Sequence, residues 1–181
     1  MNQAETYYLK AVSNYPFDYN EVCESLNYAL SHDPDYAPAL CLKAKIYLYE
    51  KTNLSVSKSY FEQSLRADPL HIDSYQFYGE LLLQIEDYEN LEKHIDKSFK
   101  VMGINKAAMY LLRAKLYERQ RDYNKALLTL DIASEECYNI DMDKIIEEER
   151  TRIESKVDRK NGKKKKKRTA KLETKELIEV R

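Results

Sequence analysis

The sequence predicts an all-α protein in which a helical hairpin is repeated about four times to form a right-handed α-solenoid. Apolar residues recur at the i, i+3, i+4, i+7 spacing of a helix face, most clearly over residues 75–82. Three glycines and four prolines are few, as expected of a chain that is helical nearly throughout. Small residues recur at equivalent places, 33, 35 and 35 positions apart: Ala11, Ala44, Gly79 and Ala114.

The clearest hairpin lies between residues 72 and 103. Its first helix contains Gly79, which costs about 1 kcal/mol relative to Ala inside a helix, so we expect another helix to approach closely there. The apolar spacing breaks at residues 86–88, where Asp87 is suited to cap the next helix. The spacing resumes at Leu91, and Gly103 is placed to end the second helix.

Turn residues recur with the same period as the small residues. Between the two helices of each pair lie Asp18-Tyr19, Asn53-Leu54, Asp87-Tyr88 and Asp122-Tyr123. Asp33-Pro34 and Asp68-Pro69 fall where two hairpins finish. A helix pair of about 34 residues with these features resembles the tetratricopeptide repeat. The resemblance covers a domain of residues 1–140, with repeats at about 3–36, 37–71, 72–106 and 107–140.

Two further segments are expected after the repeats. Residues 141–157 predict a helix with a sparse apolar edge and a polar outer side, as a terminal capping helix requires. The alternative is a helix that extends into solvent on i, i+4 charge pairs. Residues 158–181 form a basic tail of net charge +7, while residues 1–157 carry −8. Because a block of like charges buries nothing, we expect this tail to be disordered.

The sequence does not predict an enzyme, a metal site or a cofactor. His32, His71 and His94 are far apart, and neither a Cys-x-x-Cys pair nor a glycine-rich phosphate loop occurs. Cys23 and the two other cysteines are scattered, which is typical of reduced thiols in an intracellular protein. No run approaches the ~18 apolar residues of a membrane span. Met1 begins no signal-peptide pattern, so we expect a cytoplasmic protein, or a nuclear one if the source is eukaryotic.

The resemblance implies that the first helix of each repeat lines a concave groove. The groove positions are those one and five places after the large residues Leu40, Tyr75 and Tyr110, together with the last helical turn. They are Cys41, Lys45, Leu48, Tyr49, Gln76, Glu80, Leu83, Gln84, Leu111, Lys115, Glu118 and Arg119. Apolar side chains among mixed charges suit an extended or helical peptide. For each residue the alternative is that the side chain packs on its neighbours.

The predicted function is therefore that of a non-catalytic adaptor or scaffold that holds a peptide or protein segment in its groove. The sequence leaves the partner and the oligomeric state open. The alternative is a nucleic-acid- or ribosome-associated protein anchored by the basic tail. The residues that would contact a polyanion are Lys163, Lys164, Lys165, Lys166, Lys167 and Arg168. Such contact would be weak and non-specific, since flexible point charges cannot read bases.

Overall fold

Nine α-helices and no strand make up the part of the chain that the computed structural model describes, residues 2–50 and 52–179. Side chains are described as far as residue 160. The helices are α1 (Gln3–Asn14), α2 (Tyr19–His32), α3 (Ala37–Tyr49), α4 (Leu54–Ala67), α5 (Ile72–Gln84), α6 (Tyr88–Ser98), α7 (Lys106–Arg119), α8 (Tyr123–Glu135) and α9 (Ile140–Glu179). The prediction of an all-α repeat fold is confirmed.

Consecutive helices pack in pairs, α1 on α2, α3 on α4, α5 on α6 and α7 on α8, because their short connections make sequence neighbours into spatial neighbours. The chain divides into two compact units. Unit 1, Met1–Asn105, holds the first three hairpins, and unit 2, Lys106–Arg181, holds the fourth hairpin and α9. The boundary differs from the single repeat domain of residues 1–140 that we predicted.

In each hairpin, the residue just before the second helix has an acidic or amide side chain that caps the amino terminus of that helix. The carboxylate of Asp18 accepts hydrogen bonds from the backbone N–H groups of Asn20 and Glu21. Asn53, Asp87 and Asp122 cap α4, α6 and α8 in the same way. These N–H groups have no partner within the helix, so each cap contributes about 1 kcal/mol. The predicted capping role of Asp87 is confirmed.

A residue with left-handed backbone precedes three of these caps. Thr52, Glu86 and Arg121 have φ of 48°, 60° and 63°. Residues other than glycine are destabilised by about 1–2 kcal/mol in the left-handed backbone conformation. The hydrogen bonds that close these turns, each 2.9 Å, run from Asn53 N to Tyr47 O, from Asp87 N to Leu82 O and from Asp122 N to Tyr117 O. The first bond spans one residue more than the other two.

The small residues that define the period lie at the helix crossings. Ala11, Ala44, Gly79 and Ala114 are all buried. So are their counterparts on the second helices, Val22, Ser57, Leu91 and Ala126. The hydroxyl of Ser57 donates to the carbonyl of Ala44 across the crossing, at 2.8 Å. This direct contact between helices requires small side chains at the crossing.

Helix α9 packs on α7 and α8 and then continues far past them in sequence. Ile146 and Ile153 are 0% and 1% exposed and join a core cluster with Ala114 and Leu130. Helix α9 thus packs its apolar edge against the fourth hairpin within unit 2. It also runs through residues 158–179, where we expected disorder. The physical reason is that lysine, arginine and glutamate favour a helix, while Gly162 is the one glycine and no proline occurs there.

Candidate functional site

The twelve predicted groove residues divide between the two units. Eight lie on α3 and α5 in unit 1, and four lie on α7 in unit 2. Within unit 1, Cys41 and Leu48 are each 2% exposed and pack with Phe61 and Leu81. They support the surface from beneath. The other six have at least partly exposed side chains: Lys45, Tyr49, Gln76, Glu80, Leu83 and Gln84.

The exposed groove residues of unit 1 lie around Lys45. Its ammonium nitrogen lies 4.0 Å from the centroid of the Phe77 ring and 5.8 Å from that of Tyr15. Such contacts are favourable because the face of an aromatic ring carries partial negative charge. The Tyr49 ring meets Phe77 edge-on at 6.4 Å, and the Tyr49 hydroxyl donates a hydrogen bond to the Glu80 carboxylate. These contacts join α3 and α5 with Tyr15, the residue that follows α1.

Further tyrosines and carboxylates extend this surface on both sides of Lys45. The Tyr15 and Tyr19 rings are 6.1 Å apart, and those of Tyr8 and Tyr36 are 5.6 Å apart. Burial raises the pKa of the Tyr19 hydroxyl, and Glu50 lies close enough to raise it further. We name the whole surface the aromatic–acidic face, defined as Tyr8, Tyr15, Tyr19, Tyr36, Lys45, Tyr49, Glu50, Asp73, Phe77 and Glu80.

Partial burial and the neighbouring carboxylates raise the pKa of tyrosines on this face above a value that is already well above neutral pH. Burial raises the pKa of Tyr49, and its hydrogen bond to Glu80 raises it further. The pKa of Tyr19 is raised to about 12, first by desolvation and then by the neighbouring Glu50 carboxylate. For Tyr8, burial raises the pKa, and its neighbours, Asp73 among them, add to the shift. At neutral pH these side chains therefore act as hydrogen-bond donors and uncharged rings.

Three of the four predicted groove residues on α7 instead contact α9 within unit 2. Leu111 is 7% exposed and belongs to the core cluster of α7, α8 and α9. The ammonium of Lys115 lies 3.8 Å from a carboxylate oxygen of Glu149. Glu118 is 8% exposed and binds cations on α9, whereas Arg119 is exposed. Apart from Arg119, the residues of α7 that we predicted to contact a peptide therefore contact α9.

Glu118 accepts three charge-assisted hydrogen bonds. Arg152 donates from Nη1 to Oε1 and from Nη2 to Oε2, both at 2.6 Å, and the Lys156 ammonium donates to Oε1 at 2.6 Å. Burial alone would raise the pKa of Glu118, but the hydrogen bonds from Arg152 and Lys156 outweigh it and hold the pKa below its usual value. A bidentate arginine–carboxylate pair fixes both position and orientation. It therefore fixes how α9 sits against α7.

Sequence reasoning missed both Phe77 and the partners of Glu118. Phe77 follows the predicted groove residue Gln76, and its ring is the closest to the Lys45 ammonium. The only signal for it was the density of aromatic residues: sixteen tyrosines and four phenylalanines. Arg152 and Lys156 lie four residues apart, which puts them on one side of a helix. That spacing could have marked them as a pair, but nothing local points to Glu118, 34 and 38 positions away.

A buried polar cluster joins α3, α4 and α5. The Ser64 hydroxyl donates to the Ala37 carbonyl at 2.8 Å and lies 2.7 Å from the Ser74 hydroxyl, which is 2.8 Å from His71 Nδ1. The Cys41 thiol lies near Ser74, and burial raises the pKa of this thiol to about 11. An activated cysteine requires the opposite shift. The cluster therefore satisfies buried polar groups where three helices meet.

Neither a metal site nor a membrane span is found in the part of the chain that the structure describes. No group of three or more His, Cys, Asp or Glu side chains there could hold a metal ion. None of the helices described combines the length and the apolar run that crossing a bilayer needs. The predicted polyanion contacts, Lys163–Arg168, have helical backbone, but their side chains lie outside the described residues. Just before them, the Lys160 ammonium lies 5.3 Å from the centroid of the Tyr123 ring.

The fold is similar to that of several solved repeat proteins. The chain superimposes on a tetratricopeptide repeat protein from Parabacteroides merdae with a TM-score of 0.70 and 19% identity, over 83% of this chain and 57% of that one. A thermophilic tetratricopeptide repeat protein from Thermus thermophilus gives 0.64 and 16%, over 85% and 81%. The chain has a tetratricopeptide-repeat fold. No protein-family model and no curated protein matches the sequence.

A third similar structure is PilW, described as a widely conserved type IV pilus biogenesis factor. The TM-score is 0.67 and the identity 22%, over 74% of this chain and 62% of PilW. The chain therefore spans 57% and 62% of the lengths of the P. merdae protein and PilW. In repeat folds of this class, stacked helices present extended binding surfaces. The aromatic–acidic face of unit 1 is built mostly on first helices.

Proposed function

We propose that this protein is a non-catalytic interaction scaffold whose aromatic–acidic face binds a peptide segment of a partner protein. The observation that carries the proposal is the set of contacts around Lys45, which displays aromatic rings and carboxylates together on first helices of a tetratricopeptide-repeat fold. Tyrosine has an apolar ring and a polar tip, and this combination is enriched at protein interfaces.

The side chains of this face are held in place before any partner binds. Phe77 contacts both Lys45 and Tyr49, and Tyr49 is fixed by its hydrogen bond to Glu80. Yet Tyr49 remains 44% exposed, so it is both ordered and accessible. Ordering a free side chain on binding costs about 0.5–1.5 kcal/mol, and a preorganised surface avoids much of that cost.

The proposal is tested by crosslinking the full chain in extracts of its source, identifying the crosslinked segment and titrating it as a synthetic peptide. Tyr49→Ala removes an exposed ring, and Leu83→Glu adds a charge beside the face. Each should weaken binding by at least about tenfold, as for interface hot spots. The controls Glu92→Gln and Lys97→Ala, on the exposed side of α6, should leave affinity unchanged. Equal effects of both pairs would refute the proposal.

A second candidate function is association with nucleic acid through residues 158–181, supported by their net charge of +7. Binding would come from release of counterions, so the logarithm of affinity should fall by about 0.9 per phosphate neutralised for each tenfold rise in salt. A labelled duplex is titrated with the full chain and with a variant carrying glutamine at residues 163–167. Tight binding that persists at high salt, or in the variant, would replace the scaffold proposal with a dedicated nucleic-acid-binding function.

We also propose that the protein acts in the cytoplasm. The support is chemical: Cys23, Cys41 and Cys137 are free thiols, which persist in reducing compartments. Alkylating intact cells and measuring the modified fraction of the two partly exposed cysteines, Cys23 and Cys137, checks this. Oxidised cysteines in freshly trapped protein would contradict it.

A further inference from the structure

The aromatic–acidic face combines negative charge with aromatic rings. Its members include the carboxylates Glu50, Asp73 and Glu80, whereas Lys45 is its one cation, by the definition given above. The surrounding unit has the same bias, because residues 1–105 contain nine Lys or Arg against sixteen Asp or Glu, a net charge of −7. The electrostatic field of this negative charge attracts positively charged segments and repels acidic ones.

Lys45 itself shows how the face accommodates a cation. Its ammonium sits over Phe77 at 4.0 Å and within 5.8 Å of Tyr15, the arrangement that aromatic sites use to hold a ligand's ammonium or guanidinium group. Nearby, the Tyr49 hydroxyl donates a hydrogen bond to Glu80, and Tyr19 lies close enough to Glu50 for the carboxylate to add to the effect of burial in raising the tyrosine's pKa. Each pair places an aromatic ring next to a carboxylate. The two contacts that a lysine or arginine side chain prefers therefore lie together.

We propose that the partner segment is basic, with lysine or arginine side chains that bind between the rings and carboxylates of the aromatic–acidic face. This inference rests on the proposed scaffold function and specifies the chemistry of its ligand. The side chains of the segment contact Tyr49 and Glu80 at one end and Tyr19 and Glu50 at the other. Lys45 competes with an incoming cation for Phe77 and Tyr15.

This competition separates a basic partner from an acidic one. If the face binds basic segments, Lys45→Met removes a competing positive charge and leaves the rings and carboxylates in place, so affinity rises severalfold. If the face binds acidic segments, Lys45 is its main attractive charge, and the same substitution lowers affinity. Glu80→Gln removes a negative charge from the face. It should therefore lower the affinity for a basic segment and raise the affinity for an acidic one.

The test selects peptides about a dozen residues long, a length that spans several side-chain positions of a groove, from a random displayed library on the full chain. Selected peptides are synthesised, labelled and titrated against the native protein, Lys45→Met, Glu80→Gln, Tyr49→Ala and the matched control Glu92→Gln on α6. We expect enrichment of lysine and arginine, severalfold tighter binding to Lys45→Met and at least about tenfold weaker binding to Glu80→Gln. Glu92→Gln should bind like the native chain. Melting curves establish that all variants are folded.

The unfavourable outcomes are distinguishable. Acidic or uncharged peptides whose binding is lost on Tyr49→Ala would overturn the basic-partner inference and leave the scaffold proposal intact. Basic peptides that bind Lys45→Met more weakly would also overturn the inference, because Lys45 would then not compete. Peptides insensitive to Tyr49→Ala and Glu80→Gln, or a selection that yields no binder, would overturn both proposals.

Discussion

Glu118→Gln is the substitution that tests most directly how α9 is held in unit 2. Glutamine preserves the volume of a side chain that is 8% exposed but removes its charge, so it replaces the acceptor of three charge-assisted hydrogen bonds with a neutral amide. Breaking a buried ion pair costs up to about 3–5 kcal/mol. Arg152 and Lys156 are 43% and 42% exposed, so water restores part of their solvation. We therefore expect a loss of about 2 kcal/mol.

Urea unfolding followed by far-ultraviolet circular dichroism measures this loss. A double-mutant cycle with Arg152→Gln should give a coupling energy of about 1–2 kcal/mol, as residues in direct contact do. The matched control is Glu154→Gln, an exposed residue of α9, which should change stability by less than about 0.5 kcal/mol. Hydrogen exchange of the backbone amides of residues 140–157 reports whether α9 detaches first.

The effect of Glu118→Gln should also depend on pH in one direction. The pKa of Glu118 lies below its usual value in the folded chain, so its contribution is fully present above the unfolded pKa of about 4.3. The contribution is lost as the pH falls through the folded pKa. The stability difference between native chain and variant should therefore shrink in acid. A variant as stable as native at neutral pH, or a difference that grows in acid, would refute the assigned role of Glu118.

Three further substitutions test other features. Burial lowers the pKa of His94, so the stability of the folded chain should fall as the pH drops below the unfolded pKa of about 6.5. His94→Gln should reduce this pH dependence, and urea unfolding at several pH values measures it. The control is His32→Gln, at an exposed histidine. Arg121→Gly relieves a left-handed φ and should raise the melting temperature, a gain of about 0.5–1 kcal/mol. Ser64→Ala removes a buried hydrogen bond and should cost about 1–2 kcal/mol in urea unfolding, whereas the exposed Ser59→Ala should cost little.

Each of these predictions has a result that contradicts it. An unchanged pH dependence in His94→Gln would mean that the histidine titrates alike in both states. Destabilisation by Arg121→Gly would show that the greater flexibility of glycine outweighs the strain. Equal costs at the two serines would mean that the buried hydrogen bond adds nothing beyond a solvated one.

The repeat could be predicted from the sequence because its determinants act locally. Asp87 and Asp122 cap the helices they precede, and such a cap depends on residues only two or three positions away. Ala44 and Ala114 mark crossings through side-chain size, which is fixed by residue type. The continuation of α9 beyond residue 158 was not predicted, because charge repulsion was weighed above the intrinsic helix preference of lysine and arginine.

The surface was harder to predict than the fold. Helix α3 is apolar around most of its circumference, so periodicity could not tell that Cys41 and Leu48 point into the core. Charged Glu118 has the sequence character of a solvent-facing residue, and only its distant partner Arg152 explains its burial. Both errors have one origin. Exposure depends on which helix packs where, and that is set by contacts between distant parts of the chain.

The turn between α3 and α4 shows where this chain tolerates a change in length. The hydrogen bond that closes it spans one residue more than those of the other two turns with left-handed residues. Accordingly, Ala44 and Ser57 are 13 positions apart, whereas Ala114 and Ala126 are 12 apart. All four are nonetheless buried at the helix crossings. A residue added just before the capping residue therefore leaves unchanged which face of the next helix is buried. We expect insertions and deletions among relatives, and tags added by design, to be accommodated at this position.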